Sequence, residues 1–122
     1  MEPTFADGSL SAITLLRFRT TPPTRGDIVA ARMSSLDNRN FYLKRVLGLP
    51  GERIAFNEGT LLIDGSPVPE PYVVHQGTWT TEPLLLGENE FFIIGDNRGM
   101  AYDLHLGGAI HRKHLVGGLL RP

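Results

Sequence analysis

Apolar positions along this chain fall into short runs, many of them alternating with polar residues. Fourteen glycines and nine prolines set these runs apart. Brief β-branched and aromatic stretches between such breakers predict an all-β chain of short strands. The pattern predicts strands over residues 11–19, 27–33, 42–47, 53–56, 60–63, 72–74, 80–86, 90–94 and 115–121. Residues 20–26 read as a loop, because Pro22 and Pro23 have no N–H for a ladder, and 34–40 as a polar loop. Asn57-Glu58-Gly59 predicts a three-residue hairpin loop, with glycine where a left-handed residue is needed. Asp64-Gly65 opens another tight turn, and Pro67, Pro69 and Pro71 make the next stretch irregular or an edge. A short helical turn is expected near His111. No internal repeat, low-complexity tract or linker interrupts the pattern, so residues 1–122 read as one domain.

Composition narrows the classes of function. A chain of 122 residues can bury a core without disulfides or a structural metal. The lack of cysteine excludes thiol catalysis and leaves the compartment open. With a formal charge of −1 and scattered basic residues, no footprint for nucleic acid exists. Arg112-Lys113, flanked by His111 and His114, is the densest basic run and reads as a solvated turn. Those two histidines have no carboxylate at ligand spacing, so neither a metal nor any other cofactor is expected. No stretch approaches the ~20 apolar residues of a membrane span.

The unusual residue is Lys44, inside the apolar strand Phe41-Tyr42-Leu43-Lys44-Arg45-Val46-Leu47. Alternation puts Tyr42, Lys44 and Val46 on one face and Leu43, Arg45 and Leu47 on the other. Two readings follow. The lysine lays its stem along the strand and keeps its head in water. Alternatively it is withdrawn from water, which lowers its pKa and makes the neutral amine a general base.

Four blocks in one order bear on that choice: Met1-Glu2-Pro3-Thr4, Gly26-Asp27-Ile28-Val29, Lys44 to Gly51, and Gly95-Asp96-Asn97-Arg98 followed by Asp103. Together they resemble the type I signal peptidases and their pilin-processing relatives, the Ser/Lys-dyad proteases. The resemblance implies coiled antiparallel sheets shared with the SOS-repressor autoproteases. The short interval from Asp64 to Glu90 implies a minimal core without a large inserted subdomain.

It also implies roles. Lys44 corresponds to the general base. Met1, Phe5 and Leu43 match positions near the pockets for small substrate residues, with ordinary core packing as the alternative. Asp96, Asn97, Arg98 and Asp103 correspond to the box that supports the site. The family's nucleophilic serine directly precedes the methionine matching Met1, so the serine is expected just before this chain's first residue, together with the anchor that precedes it in the family. Ser9 and Ser11 lie downstream of the motif and are not expected to replace it. Two departures weaken the match: Ala101 stands where the family has a serine bonding the lysine, and His105 where an arginine pairs the aspartate.

The resemblance implies an endopeptidase that removes signal peptides from exported preproteins or pilin-like precursors, bound as extended peptides. Its place would be the extracytoplasmic face of the bacterial cytoplasmic membrane. A peptide-binding relative without activity is the alternative, and a self-cleaving repressor domain ranks last. Trp79, Tyr72 and Phe91 read either as an apolar edge against the membrane or as core.

Overall fold

The computed structural model describes residues 13–14, 22–31, 42–73, 76–99 and 108–119. Its strands are β1 (Ile13–Thr14), β2 (Ile28–Ala31), β3 (Tyr42–Gly48), β4 (Arg53–Asn57), β5 (Thr60–Ile63), β6 (Ser66–Pro67), β7 (Leu84–Leu85), β8 (Glu90–Ile94), β9 (Gly108–His111) and β10 (Leu115–Leu119). A 3-10 turn at Arg112–His114 joins the last two. Every pairing is antiparallel, and the fold is all-β. One sheet runs in the order β1-β10-β2-β3-β8-β9, the other β6-β5-β4-β7.

The second sheet is shaped by its turns. Asn57 pairs with Thr60, so the loop is the two residues Glu58 and Gly59 rather than the expected three. Both have positive φ, 48° and 86°, as a type I′ hairpin requires. Asp64 and Gly65, at 51° and 85°, repeat the device between β5 and β6. Where a strand over 72–74 was expected, residues 72 and 73 belong to a turn, with Val73 N–H donating to Glu70 O at 3.1 Å across Pro71 and Tyr72, and residue 74 lies outside the described residues. Pro71 sits at the second turn position, where its fixed φ is suited. Of the expected strand over 80–86 only Leu84–Leu85 forms. Upstream, threonine hydroxyls replace part of the ladder: Phe56 N–H donates to Thr81 Oγ1 and Glu58 N–H to Thr80 Oγ1. Pro83 then interrupts with no donor of its own. Strand β9 was not legible, since Gly107-Gly108 reads as a breaker.

Two apolar clusters explain why β8 is apolar on both faces. Leu47, Phe92 and Ile94 meet Ile54, Phe56 and Leu61 of the second sheet, with Trp79 and Leu86 from its connecting segments. On the opposite face Val29, Ala31, Val46, Phe91, Ile93 and Ile110 pack together. A strand covered on both sides reads as a continuous apolar run rather than an alternating one. Trp79 and Phe91 therefore belong to separate cores, and the shared apolar edge expected as one reading does not form. Gly48 lies against the second sheet with no room for a side chain; a Cβ there would sit 2.5 Å from Ile54 Cδ1. Among the described residues, no helix is long and apolar enough to cross a membrane.

Candidate active site

Lys44 is carried by β3 directly opposite Val29 of β2. Its face is that of Val46 and Val29, both fully buried. Lys44 itself is half-buried. Burial pushes its amine below the usual lysine range.

The edge of β3 is asymmetric around this residue. On one side β2 pairs with residues 42–45, and on the other β8 pairs only from Arg45 onward. Among the described residues no strand pairs with 42–44 on the β8 side. Leu43 is half-buried there and shares the face of Arg45.

The face opposite Lys44 holds the strand. Arg45 is 9% exposed and donates to both oxygens of Asp96, from Nε and Nη2, each at 2.9 Å. Its Nη1 donates to Gly26 O at 2.9 Å, and the Tyr72 ring covers its guanidinium at 4.0 Å from the centroid. Asp96 is wholly buried, so this bidentate pair fixes the end of β8 against β3. Two residues on, Arg98 turns to other partners. Nε donates to Gly95 O, and Nη1 and Nη2 donate to the two Glu70 oxygens at 3.0 and 2.5 Å. Asn97 between them is half-buried.

The turn leaving β3 is locked separately. Glu52 N–H donates to Leu49 O across Pro50 and Gly51, and Gly51 has φ 83°, the left-handed residue of a type II turn. Glu52 accepts from Leu49 N–H and from both Arg25 nitrogens at 2.7 Å, and Arg25 Nη1 also donates to Leu47 O. The Arg25 guanidinium holds the Glu52 carboxyl below its ordinary range.

Of the residues singled out in the sequence, Lys44, Leu43, Asp96, Asn97 and Arg98 gather around β3 and the end of β8. Met1, Phe5, Ala101, Asp103 and His105 lie outside the described residues. His111 is exposed, and its Nδ1 accepts from Lys113 N–H. Sequence reasoning gave no role to Arg45 or Glu70, and read Tyr72 only as apolar edge or core. A charged residue beside the lysine and an acid between two prolines were the visible signals, but their partners lie 51 and 28 residues away.

The family model described as signal peptidase, peptidase S26, matches residues 1–120. The chain belongs to this signal peptidase family. A probable signal peptidase I-2 of Synechocystis sp. is 30% identical over 121 residues, covering 96% of this chain and 56% of that protein. The signal peptidase I of Leptolyngbya laminosa is 30% identical over 123 residues, covering 96% and 61%. The crystal structure of a signal peptidase I from Enterococcus faecalis matches with a TM-score of 0.61 and 28% identity, over 80% of this chain and 97% of that one. The chain thus spans somewhat more than half the length of these curated relatives.

Proposed function

We propose that this chain is the catalytic domain of a serine endopeptidase of the signal peptidase I type, a single domain with Lys44 as general base. The nucleophile in this reading is a serine directly before Met1. The neutral Lys44 amine takes the serine hydroxyl proton as the oxygen attacks the scissile carbonyl. The resulting ammonium gives that proton to the leaving amine, and an acyl-enzyme remains. Lys44 then deprotonates the water that hydrolyses the ester. The substrate is an exported preprotein or pilin-like precursor cleaved at the extracytoplasmic face of the cytoplasmic membrane.

The observation that carries the reading is Lys44 itself, a desolvated amine on a strand whose residues 42–44 have, among the described residues, no strand partner on the β8 side. An extended peptide adding to that edge would gain main-chain hydrogen bonds and bring its scissile bond towards the amine's strand. Asp96 and Arg98 would support the site by fixing the strand ends, as would Asn97 and Asp103.

The test is cleavage of a peptide with Ala at −1 and −3 by a protein carrying a short N-terminal extension that ends in Ser before Met1. Cleavage that disappears with Ala in place of that Ser, and with Lys44→Met, is the expected result. A folded, serine-bearing protein without cleavage would leave a peptide-binding domain in its place. Activity abolished by Ser9→Ala or Ser11→Ala would move the nucleophile elsewhere.

A further inference from the structure

The Lys44 strand is held from behind by a ring of five residues closed through one backbone hydrogen bond, and two of the five come from a stretch with no regular structure. The members are Arg45, Tyr72, Glu70, Arg98 and Asp96. Arg45 grips Asp96, and Tyr72 lies over the Arg45 guanidinium. The Tyr72 hydroxyl donates to Glu70 Oε2 at 2.9 Å. Glu70 takes both Arg98 nitrogens, and Arg98 returns to the loop of Asp96, its backbone N–H donating to Asp96 O at 3.0 Å. Two guanidinium and two carboxylate groups balance in charge. The Arg98 side chain is 1% exposed and that of Glu70 8%.

Such a ring has one neutral link, Tyr72. Desolvation and the adjoining Glu70 carboxylate push its phenol well above the usual tyrosine range, so it stays a hydrogen-bond donor at working pH. The far side is closed by the Phe56 and Trp79 rings, 5.3 and 5.6 Å from the Arg98 guanidinium carbon. Gly77 completes it by close approach, since a Cβ there would lie 1.9 Å from Arg98 O. This much built structure converges on Arg45, the residue next to Lys44 and the first of β3 to pair with β8.

We infer that Glu70 and Tyr72 are positioning residues for Lys44, acting through Arg45 to steady residues 42–44, which β2 pairs on one side and β8 does not pair on the other. The inference rests on the reading of Lys44 as the base. A strand end released from this grip samples positions open to water, and a second shell left loose blurs the geometry of the group it supports.

The chain has two lysines, Lys44 and the exposed Lys113, so a titration of lysine side chains labelled with 13C at Cε resolves the site with an internal reference. Tyr72→Phe keeps the ring and removes the bond to Glu70; Tyr72→Leu removes both; Glu70→Gln removes the charge. The Lys44 midpoint should rise in all three, most in Tyr72→Leu, by about one pH unit. Leu61→Ala, in the core of the second sheet, is the destabilised control and should leave the midpoint where it is. If Tyr72→Leu or Glu70→Gln does not fold, Tyr72→Phe decides alone. An unmoved midpoint in the folded variants, or an equal rise in Leu61→Ala, overturns the inference. A wild-type midpoint at the ordinary lysine value overturns the base assignment instead, which keeps the two failures apart.

Discussion

Lys44 and Val29 face each other across the antiparallel ladder of β2 and β3, and the valine is wholly buried. An ammonium placed beside it has an apolar wall where it needs water, and that wall is one source of its depressed pKa. Val29→Ala should raise the Lys44 midpoint by admitting water. It should also cost about 2 kcal/mol of stability from lost burial, read by urea denaturation.

Replacing the amine tests the same environment through stability. Lys44 has a folded-state pKa below the unfolded value of 10.5. Below the folded value both states are charged, and the native state bears the full desolvation penalty. Between the two values the unfolded state binds more protons, so native stability rises with pH. Lys44→Met, similar in length, should therefore be at least as stable as the parent at pH 7. That advantage should shrink as pH climbs towards 10.5. Tyr72 contributes with the opposite sign in alkali, but it is common to both proteins and cancels in the difference.

The Arg45–Asp96 pair makes a different prediction. Asp96→Asn leaves a buried guanidinium without its counter-charge, and loss of one partner of such a pair costs about 3–5 kcal/mol. Denaturation midpoints should fall accordingly. Loss of only a few tenths would mean that Arg45 finds other solvation.

Gly48→Ala should be unexpectedly damaging for so small a change. Its Cβ would lie 2.5 Å from Ile54 Cδ1 and 2.8 Å from Leu86 Cδ1, both in the core between the sheets. Overpacking of this kind costs about 1–3 kcal/mol. Adding Ile54→Val, which removes the nearest atom, should recover part of the loss in thermal unfolding.

Much of this arrangement was legible from local pattern. Lys44 stood out because a charge interrupted an apolar run, and Gly-Leu-Pro-Gly carried its own turn chemistry. The two-residue hairpin at Glu58-Gly59 was misjudged by one residue, because Glu58 adopts a positive φ that its side chain does not advertise. Residues 72–74 looked like a strand by composition, yet Pro71 turns the chain and Tyr72 is taken up by Arg45 and Glu70. Those contacts join positions far apart in sequence, and no local period encodes them. The apolar character of β8 showed that it is buried but not that two separate cores share it.

The central claim is that burial lowers the Lys44 pKa and so favours the neutral amine a base needs, and its own titration tests this most directly. With the carbon beside the amine labelled and Lys113 as reference, the account predicts a Lys44 midpoint clearly below 10.5 in the folded chain, returning to that value in urea. A folded-state midpoint at 10.5 would contradict it, because an amine fully charged at neutral pH has no lone pair with which to take the serine proton.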